Sequence, residues 1–325
     1  MSLTRIVNRL RRMSSTMSRL ARIDRQLDQI AINQGCLLAE VNRNKRSPRL
    51  ADHEFKVFSQ WGEDGIIQFL VSSLAIANRT FIEFGVEDFS EANCRFLMMK
   101  DRWSGFVIDG SADNIKRLRS SHDYWRHSLQ SLAAFVTRES IADQLEQSGF
   151  AKDVGILSVD IDGVDYHVLV ALSAWRASIV IVEYNAVFGR RRAVSVPYDP
   201  GFFRTSKHHS NLYYGASLPA FDALLRGRGY ALVGVNTAGS NAFFVRNDLL
   251  NDIVTEVSVA ECFRDSDFRE GRDGTGELTF ASGGARRLAI AELPLVDVVT
   301  GATLRVGDLE AEPAGATPTA DAFAR

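Results

Sequence analysis

Thr80-Phe81-Ile82-Glu83-Phe84-Gly85 and Gly105-Phe106-Val107-Ile108-Asp109-Gly110 decide how this chain folds. Each is a short β-rich run that stops at a glycine or at Asp-Gly, and residues 91–100 between them have helical spacing. Strand, helix, strand in that order makes a parallel pair joined by a crossover. Working outward, the alternation continues. Residues 62–75 place Ile66, Ile67, Leu70 and Leu74 on one helix face. Ser111 is placed to cap a helix over 112–119. A weaker third strand at 129–136 precedes a helix at 139–148. Gly155–Val159 is a fourth strand, 164–173 a helix, and Ser178–Val182 a fifth strand. After a long insert, Ser217 caps a helix with Pro219 in its first turn, ending near Gly227 and Gly229. Tyr230–Val235 and Ala242–Val245 are joined by Asn236–Asn241, too short for a crossover helix, so they form a hairpin. The fold expected is α/β, a Rossmann-like seven-stranded, mostly parallel sheet with a terminal antiparallel hairpin.

The 325 residues, 46% apolar and 24% charged, exclude a wholly disordered or collagen-like chain. No apolar run reaches the length needed to span a bilayer, and no signal-peptide core follows the start. Cys36, Cys94 and Cys262 are scattered and form no CxxC pair, which disfavours disulfides and thiolate metal sites and fits a reducing, cytoplasmic setting.

The net charge of −2 hides an asymmetry, because residues 1–50 are strongly basic and the rest acidic. In the basic part Ile6, Leu10, Met13, Met17, Leu20, Leu27, Ala31, Leu38 and Val41 follow a heptad, interrupted at Asp24 and Gln34. Residues 1–45 are therefore expected to be a basic amphipathic or coiled-coil helix. It would make a homo-oligomer, pack on the body or touch a membrane surface. The Arg- and Ser-rich start also matches a transit peptide, but the heptad runs past any cleavage point. The sheet domain is expected over 53–250, a C-terminal extension over 251–310, and a disordered tail over 311–325. Within the extension, Leu288–Val299 suits a strand or a docking helix.

Ligands of such sheets bind at the carboxyl ends of the strands. Gly85 permits a tight turn there, and Asp109 stands at the offset at which an acid binds ribose hydroxyls. The loop Gly85-Val86-Glu87-Asp88-Phe89-Ser90 is acidic and lacks GxGxxG, which disfavours a pyrophosphate and suits a ligand with a ribose and a positive centre. After strand four come Asp160, Asp162 and Asp165, and after strand five Glu183 and Asn185. Asp160, Asp162, Glu183 and Asn185 are candidate hard-oxygen ligands for Mg²⁺, although some of these residues would equally cap the following helices. Asp160-Ile161-Asp162-Gly163-Val164 also fits a haloacid-dehalogenase nucleophile motif. That motif belongs on the first strand of its fold, and here three strand–helix units precede it.

The body resembles the class I S-adenosylmethionine-dependent methyltransferases, and among them the FkbM-like group. The resemblance rests on Ser59-Gln60-Trp61-Gly62-Glu63-Asp64-Gly65, the two strand ends quoted first, Ser158–Gly163 and Val182–Asn185, and covers roughly residues 55–250. It implies that Glu83 and Gly85 line the methionine end of S-adenosylmethionine, and that Asp109 with Gly110 holds the ribose. Ala133 would flank the adenine and Asp160 would sit beside the sulfonium. The family's glycine-rich loop is reduced here to Gly85.

The expected function is O-methylation of a small-molecule or glycan hydroxyl, with Mg²⁺, or else Asp160, Asp162 or His167, removing the acceptor proton. The insert at 186–215 is expected to cover the acceptor through Arg190, Tyr198, His208, His209, Tyr213 and Tyr214. Its five cations, Arg190–Arg192, Arg204 and Lys207, stand against Asp199 and suit an anionic acceptor. No aromatic-plus-basic reader of nucleic acid is present. The competing reading is a catalytically lapsed cofactor-binding module that acts as a scaffold through its N-terminal helix.

Overall fold

The computed structural model describes residues 3–309. The expected disordered tail at 311–325 lies outside the described residues, as do the side chains of Ile6 and Leu10 in the heptad.

The chain opens with α1 (Leu3–Arg43) and α2 (Glu63–Ser73), then alternates. β1 (Thr80–Phe84), α3 (Arg95–Asp101), β2 (Ser104–Asp109), α4 (Ala112–Ser120), β3 (Leu129–Ala133) and α5 (Ile141–Glu146) follow one another. β4 (Ile156–Val159), α6 (Asp165–Ala171) and β5 (Ile179–Glu183) complete the parallel part. The insert carries β6 (Val194–Ser195) and α7 (Arg204–Lys207); α8 (Leu218–Arg226) then leads into β7 (Tyr230–Val235) and β8 (Asn241–Arg246). The extension holds α9 (Val259–Cys262), α10 (Gly284–Ala289), β9 (Pro294–Asp297) and β10 (Thr303–Arg305).

The main sheet has seven strands in the order β3-β2-β1-β4-β5-β8-β7. β8 is antiparallel to both neighbours, so it alone runs against the rest. This is the Rossmann-like layout expected from the alternation, with the hairpin folding β8 back between β5 and β7. Side-chain period two sends Ile82 and Phe84 of β1 into one core layer and Phe81 into the other. The expected caps are present: Ser111 accepts a hydrogen bond from the Asn114 N–H, and Ser217 accepts one from the Ala220 N–H.

Residues 284–309 supply both elements anticipated for the extension, a short helix and strands. β9 pairs with β10 and with β6 of the insert in a separate three-stranded antiparallel sheet. The extension is thereby bound to the insert that follows β5, which matters for the site.

α1 lies against the body near its C-terminal end, centred on small residues, with Ile32, Cys36 and the seam residue Leu38 packed around them. Gly35, Ala39 and Asn42 are buried, and a Cβ on Gly35 would come 2.5 Å from Val57 and 2.7 Å from Phe96. Asp28 pairs with Arg95 at 2.9 Å. Met13, Met17, Leu20, Leu27 and Val41 of the seam remain exposed. Among the described residues no helix is long and apolar enough to cross a membrane.

Candidate active site

Register creates the site. Val159 pairs with Val182 across β4 and β5, so the next residues, Asp160 and Glu183, emerge side by side at the carboxyl edge. Asp162, two residues on, turns back through a left-handed backbone at φ 54°, a conformation that costs a non-glycine residue about 1 kcal/mol or more. One oxygen from each of Asp160, Asp162 and Glu183 lies within 4.8 Å of the other two. Asp162 is exposed, Asp160 partly buried and Glu183 buried.

Burial, and then the neighbouring acids, hold Asp160 and Glu183 well above the usual carboxylate range. Each such carboxyl resists ionisation while its neighbour is charged. Glu183 Oε1 accepts a hydrogen bond from the Tyr214 hydroxyl at 3.2 Å, and its Oε2 has no donor among the described residues. A buried oxygen of that kind has room for a proton or a cation. Asp165 plays a different part. It accepts the N–H groups of Ile161 at 2.7 Å and Gly163 at 2.9 Å, so it braces the turn after β4. Of the alternatives open in sequence, convergence describes Asp160, Asp162 and Glu183, whereas Asp165 braces the turn before α6 and neither joins the cluster nor caps the helix.

Arg204, on α7 of the insert, stands over this cluster. It pairs with Asp162 and with Glu270 of the extension, donates through Nε to the Asn211 carbonyl at 2.7 Å, and lies 3.9 Å above the Tyr214 ring. Burial would lower the Arg204 pKa, but Tyr214 and the surrounding acids outweigh that and raise it, so the guanidinium is permanently charged.

The ends of β1 and β2 form the other half of the edge. Gly85 sits at φ 68°, and a Cβ there would lie 1.8 Å from the Asp160 carbonyl oxygen. Only glycine allows the β1 and β4 ends to approach this closely. Glu87 and Phe89 are also left-handed, at φ 49° and 66°. The strain is held partly by Asp109, whose Oδ2 accepts the Glu87 N–H at 2.8 Å. Its Oδ1 accepts from the Ser111 N–H and the Asn114 amide at 2.8 and 3.1 Å. Beside it, Gly110 is exposed and a Cβ there would meet only the Phe135 ring, at 3.5 Å. Phe135 and Ala133 are exposed on the same side of β3. Gly110 and Phe135 are thus exposed beside the buried Asp109 carboxylate, which can take the hydroxyls of a ribose, and the acids at 160 and 183 can face a positive centre. The charge of this edge therefore suits S-adenosylmethionine.

Several expected site residues are committed elsewhere. The Glu83 carboxylate accepts the Asn93 and Cys94 N–H groups at 2.7 and 3.0 Å, capping α3, and burial lifts its pKa to about 7. Asn185 donates to the Leu212 and Tyr214 carbonyls and accepts the Val187 N–H, so its amide holds the insert and not the acidic cluster. His167 Nε2 meets the Val196 carbonyl at 3.0 Å, and burial lowers its pKa. It is a neutral strut between α6 and the insert. Tyr198 donates to Glu139, and Tyr213 donates to the Pro294 carbonyl at 2.5 Å. His208 contacts Ser210 Oγ at 2.7 Å and stacks near His209, while Arg190 is half-buried on the insert. Of the six insert residues expected at the acceptor, Tyr214 is the one that hydrogen-bonds a member of the cluster. The Ser59–Gly65 motif is a brace as well. Asp64 accepts the N–H groups of Val57, Phe58 and Ser59, and Glu63 accepts the Asn236 and Asn241 amides at 2.6 and 2.9 Å.

Three residues escaped the sequence reading, Glu270, Ser266 and Arg286, and Arg204 was singled out there only as one of the insert's cations. The three come from the extension, and no spacing in the chain announces that the extension reaches this edge.

No family model and no curated protein matches the sequence. Solved structures that resemble the chain include an O-methyltransferase family protein from Burkholderia thailandensis, 12% identical over 57% of this chain and 58% of that one, with a TM-score of 0.35. The chain thus spans less than two thirds of that protein. An O-methyltransferase from Bacillus cereus in complex with SAH is 10% identical over 55% of this chain and 76% of that one, at a TM-score of 0.34. An S-adenosylmethionine-dependent methyltransferase from Clostridium acetobutylicum is 8% identical over 57% and 90%, at 0.35.

Proposed function

We propose that the protein is an S-adenosylmethionine-dependent O-methyltransferase acting on a hydroxyl of a small-molecule or glycan acceptor. The observation that carries this reading is the convergence of Asp160, Asp162 and Glu183 at the carboxyl edge of β4 and β5. When bound, S-adenosylmethionine supplies a methyl group on a positively charged sulfur. Asp109, Gly110 and Phe135 would hold its nucleoside, in line with the resemblance. Asp160 lies one backbone contact from Gly85, so it links the cofactor half of the edge to the acceptor half.

The ionised one of Asp160 and Glu183 takes the acceptor proton. Burial keeps its pKa high, which makes it a stronger base at neutral pH than a surface carboxylate. Tyr214 orients Glu183, and Arg204 fixes Asp162 so that it cannot swing into the pair. A second reading rests on the same convergence. Asp160, Asp162 and Glu183 are hard-oxygen ligands suited to Mg²⁺, and an ion there would displace Arg204 from Asp162. The exposed seam of α1, from Met13 to Val41, supports self-association through the first helix.

The test is transfer of isotopically labelled methyl from S-adenosylmethionine to a panel of hydroxylated acceptors, with Mg²⁺ and with EDTA. Transfer that is abolished in Asp160→Asn supports the enzyme. Loss in EDTA favours the metal-assisted form. Cofactor binding with no transfer to any member of the panel favours the lapsed module.

A further inference from the structure

We infer that residues 269–283 of the extension are a hinged flap that holds Arg204 down over the reacting edge, and that this flap must lift before an acceptor can reach Glu183. The inference rests on the reading that Glu183 meets the acceptor, and it adds the step that admits one.

Glu183 is only 8% exposed, and its Oε2 is buried with no donor among the described residues. Tyr214 covers it from the insert, with its hydroxyl on Glu183 Oε1. Arg204 lies over the Tyr214 ring and is tied to Asp162. The crevice behind them, between the insert and the extension, has room for about one water. An acceptor oxygen cannot touch a carboxyl so enclosed, so part of the cover has to move.

The cover is not fixed evenly. At the root of the insert, the Asn185 amide donates to the Leu212 and Tyr214 carbonyls at 2.9 and 3.0 Å. At the root of the extension, buried Arg286 donates to Asp265 and to the Ser266 carbonyl, both at 2.8 Å, and the Asp267 N–H donates to the Ala238 carbonyl at 3.0 Å. Between 269 and 283, by contrast, Gly271 alone is buried. Internal bonds make this stretch a unit: the Asp273 N–H donates to the Glu277 carbonyl at 2.9 Å, and the Thr279 N–H to the Gly271 carbonyl at 2.8 Å. It meets the insert through Glu270 on Arg204 and through the Arg272 N–H on the Ser210 carbonyl at 3.3 Å, with Leu212 beside Gly271. Gly283 sits at φ 50° and, like Gly284, has open space where a Cβ would stand, so the chain can turn there. A segment with so little buried surface opens at small cost. When it lifts, Glu270 leaves Arg204, whose remaining acid is the exposed Asp162. α7, which has no buried residue, can then follow and uncover the edge.

The test is carbodiimide footprinting of the full chain without cofactor, with glycine ethyl ester as the nucleophile and modification of Glu183 read by mass spectrometry. Glu183 should react slowly in the parent relative to exposed Glu146. It should react about three- to tenfold faster in Glu270→Gln, the range expected for one partly buried ion pair. Hydrogen exchange on the same samples should quicken over 203–212 and 269–283 and stay unchanged in β4 and β5. The second measurement needs no variant: raising NaCl to about 1 M screens the Glu270–Arg204 pair and should increase Glu183 labelling in the parent. A Glu183 that reacts as fast as Glu146 in the parent, or that neither the variant nor salt makes more reactive, overturns the inference. If β4 and β5 also lose protection in Glu270→Gln, that variant has unfolded and the salt series in the parent decides. The expected footprint in a chain that binds no S-adenosylmethionine keeps the flap and removes the methyltransferase reading.

Discussion

Replacing Asp160 by Asn should make this protein more stable while removing its activity, and the gain should depend on pH. At the 4.8 Å that bounds the acidic cluster, two unit charges repel by about 3.5 kcal/mol at an effective dielectric of about 20. The native state avoids that repulsion by keeping a proton, so the cost takes the form of raised pKa values for Asp160 and Glu183. The sign follows. Below pH about 4 both carboxyls are protonated folded and unfolded, and they contribute nothing. As pH rises the unfolded chain ionises first, and stability is lost until the raised native values are passed. Asn at 160 removes the repulsion and can donate to the orphaned Glu183 Oε2. The expected gain is about 2 kcal/mol at pH 8, bounded by the Coulomb figure, and close to zero at pH 4. At roughly 2 °C per kcal/mol for a chain of this size, the midpoint should rise by about 4 °C. Thermal melts of both proteins at pH 4.5 and pH 8, in EDTA, are the assay. A variant no more stable than its parent at pH 8, or equally stabilised at both pH values, refutes the reasoning that the two acids repel each other in the fold.

Further outcomes follow from the same geometry. Gly85→Ala places a Cβ 1.8 Å from the Asp160 carbonyl at φ 68°, so it should cost about 2–4 kcal/mol in a urea or thermal melt; an unchanged melt would contradict the close approach of β1 and β4. Arg204→Met strips the counter-charge from Asp162 and Glu270, which are themselves substantially exposed. It should cost about 1–2 kcal/mol and let millimolar Mg²⁺ restore part of the loss; a variant indifferent to Mg²⁺ argues against a latent metal site. Leu20→Asp combined with Leu27→Asp should convert a self-associated protein to monomer in sedimentation velocity. A wild-type monomer would remove the helix-mediated assembly.

The sequence made the sheet legible because each strand stops at a turn residue and each helix carries its own cap or apolar face. Glu83, Asp109 and Asp160 were found at strand ends for that reason, yet the strand end alone did not say what each carboxylate binds. Glu83 and Asp109 lie within reach of backbone N–H groups in the loops after β1 and β2, and those local donors claim them. Asp160 and Glu183 have acids as neighbours, because parallel register sets β4 against β5. Asn185 and His167 are likewise engaged by nearby backbone groups. Both suit ligand or base chemistry, but each is aimed at carbonyls of the insert. Arg286 and Ser266 had no local signal at all. Their place depends on non-local contacts: Asp267 N–H donates to the Ala238 carbonyl in the turn between β7 and β8, and Arg286 reaches back to Asp265 and the Ser266 carbonyl. The spacing of residues 3–43 marked a single helix, and the face of it that docks on the body centres on Gly35 and Ala39.

The central claim is that the edge formed by β1, β2 and β4 binds S-adenosylmethionine, and calorimetric titration of the full chain tests it most directly. Gly110→Val is the control, because the space above exposed Gly110 is open apart from contact with the Phe135 ring, so the added methyls crowd the surface beside Asp109 without disturbing the core. The account predicts micromolar binding by the parent, an unchanged melting temperature in Gly110→Val, and binding at least tenfold weaker in that variant. No binding by the parent, or equal binding by both, would contradict it.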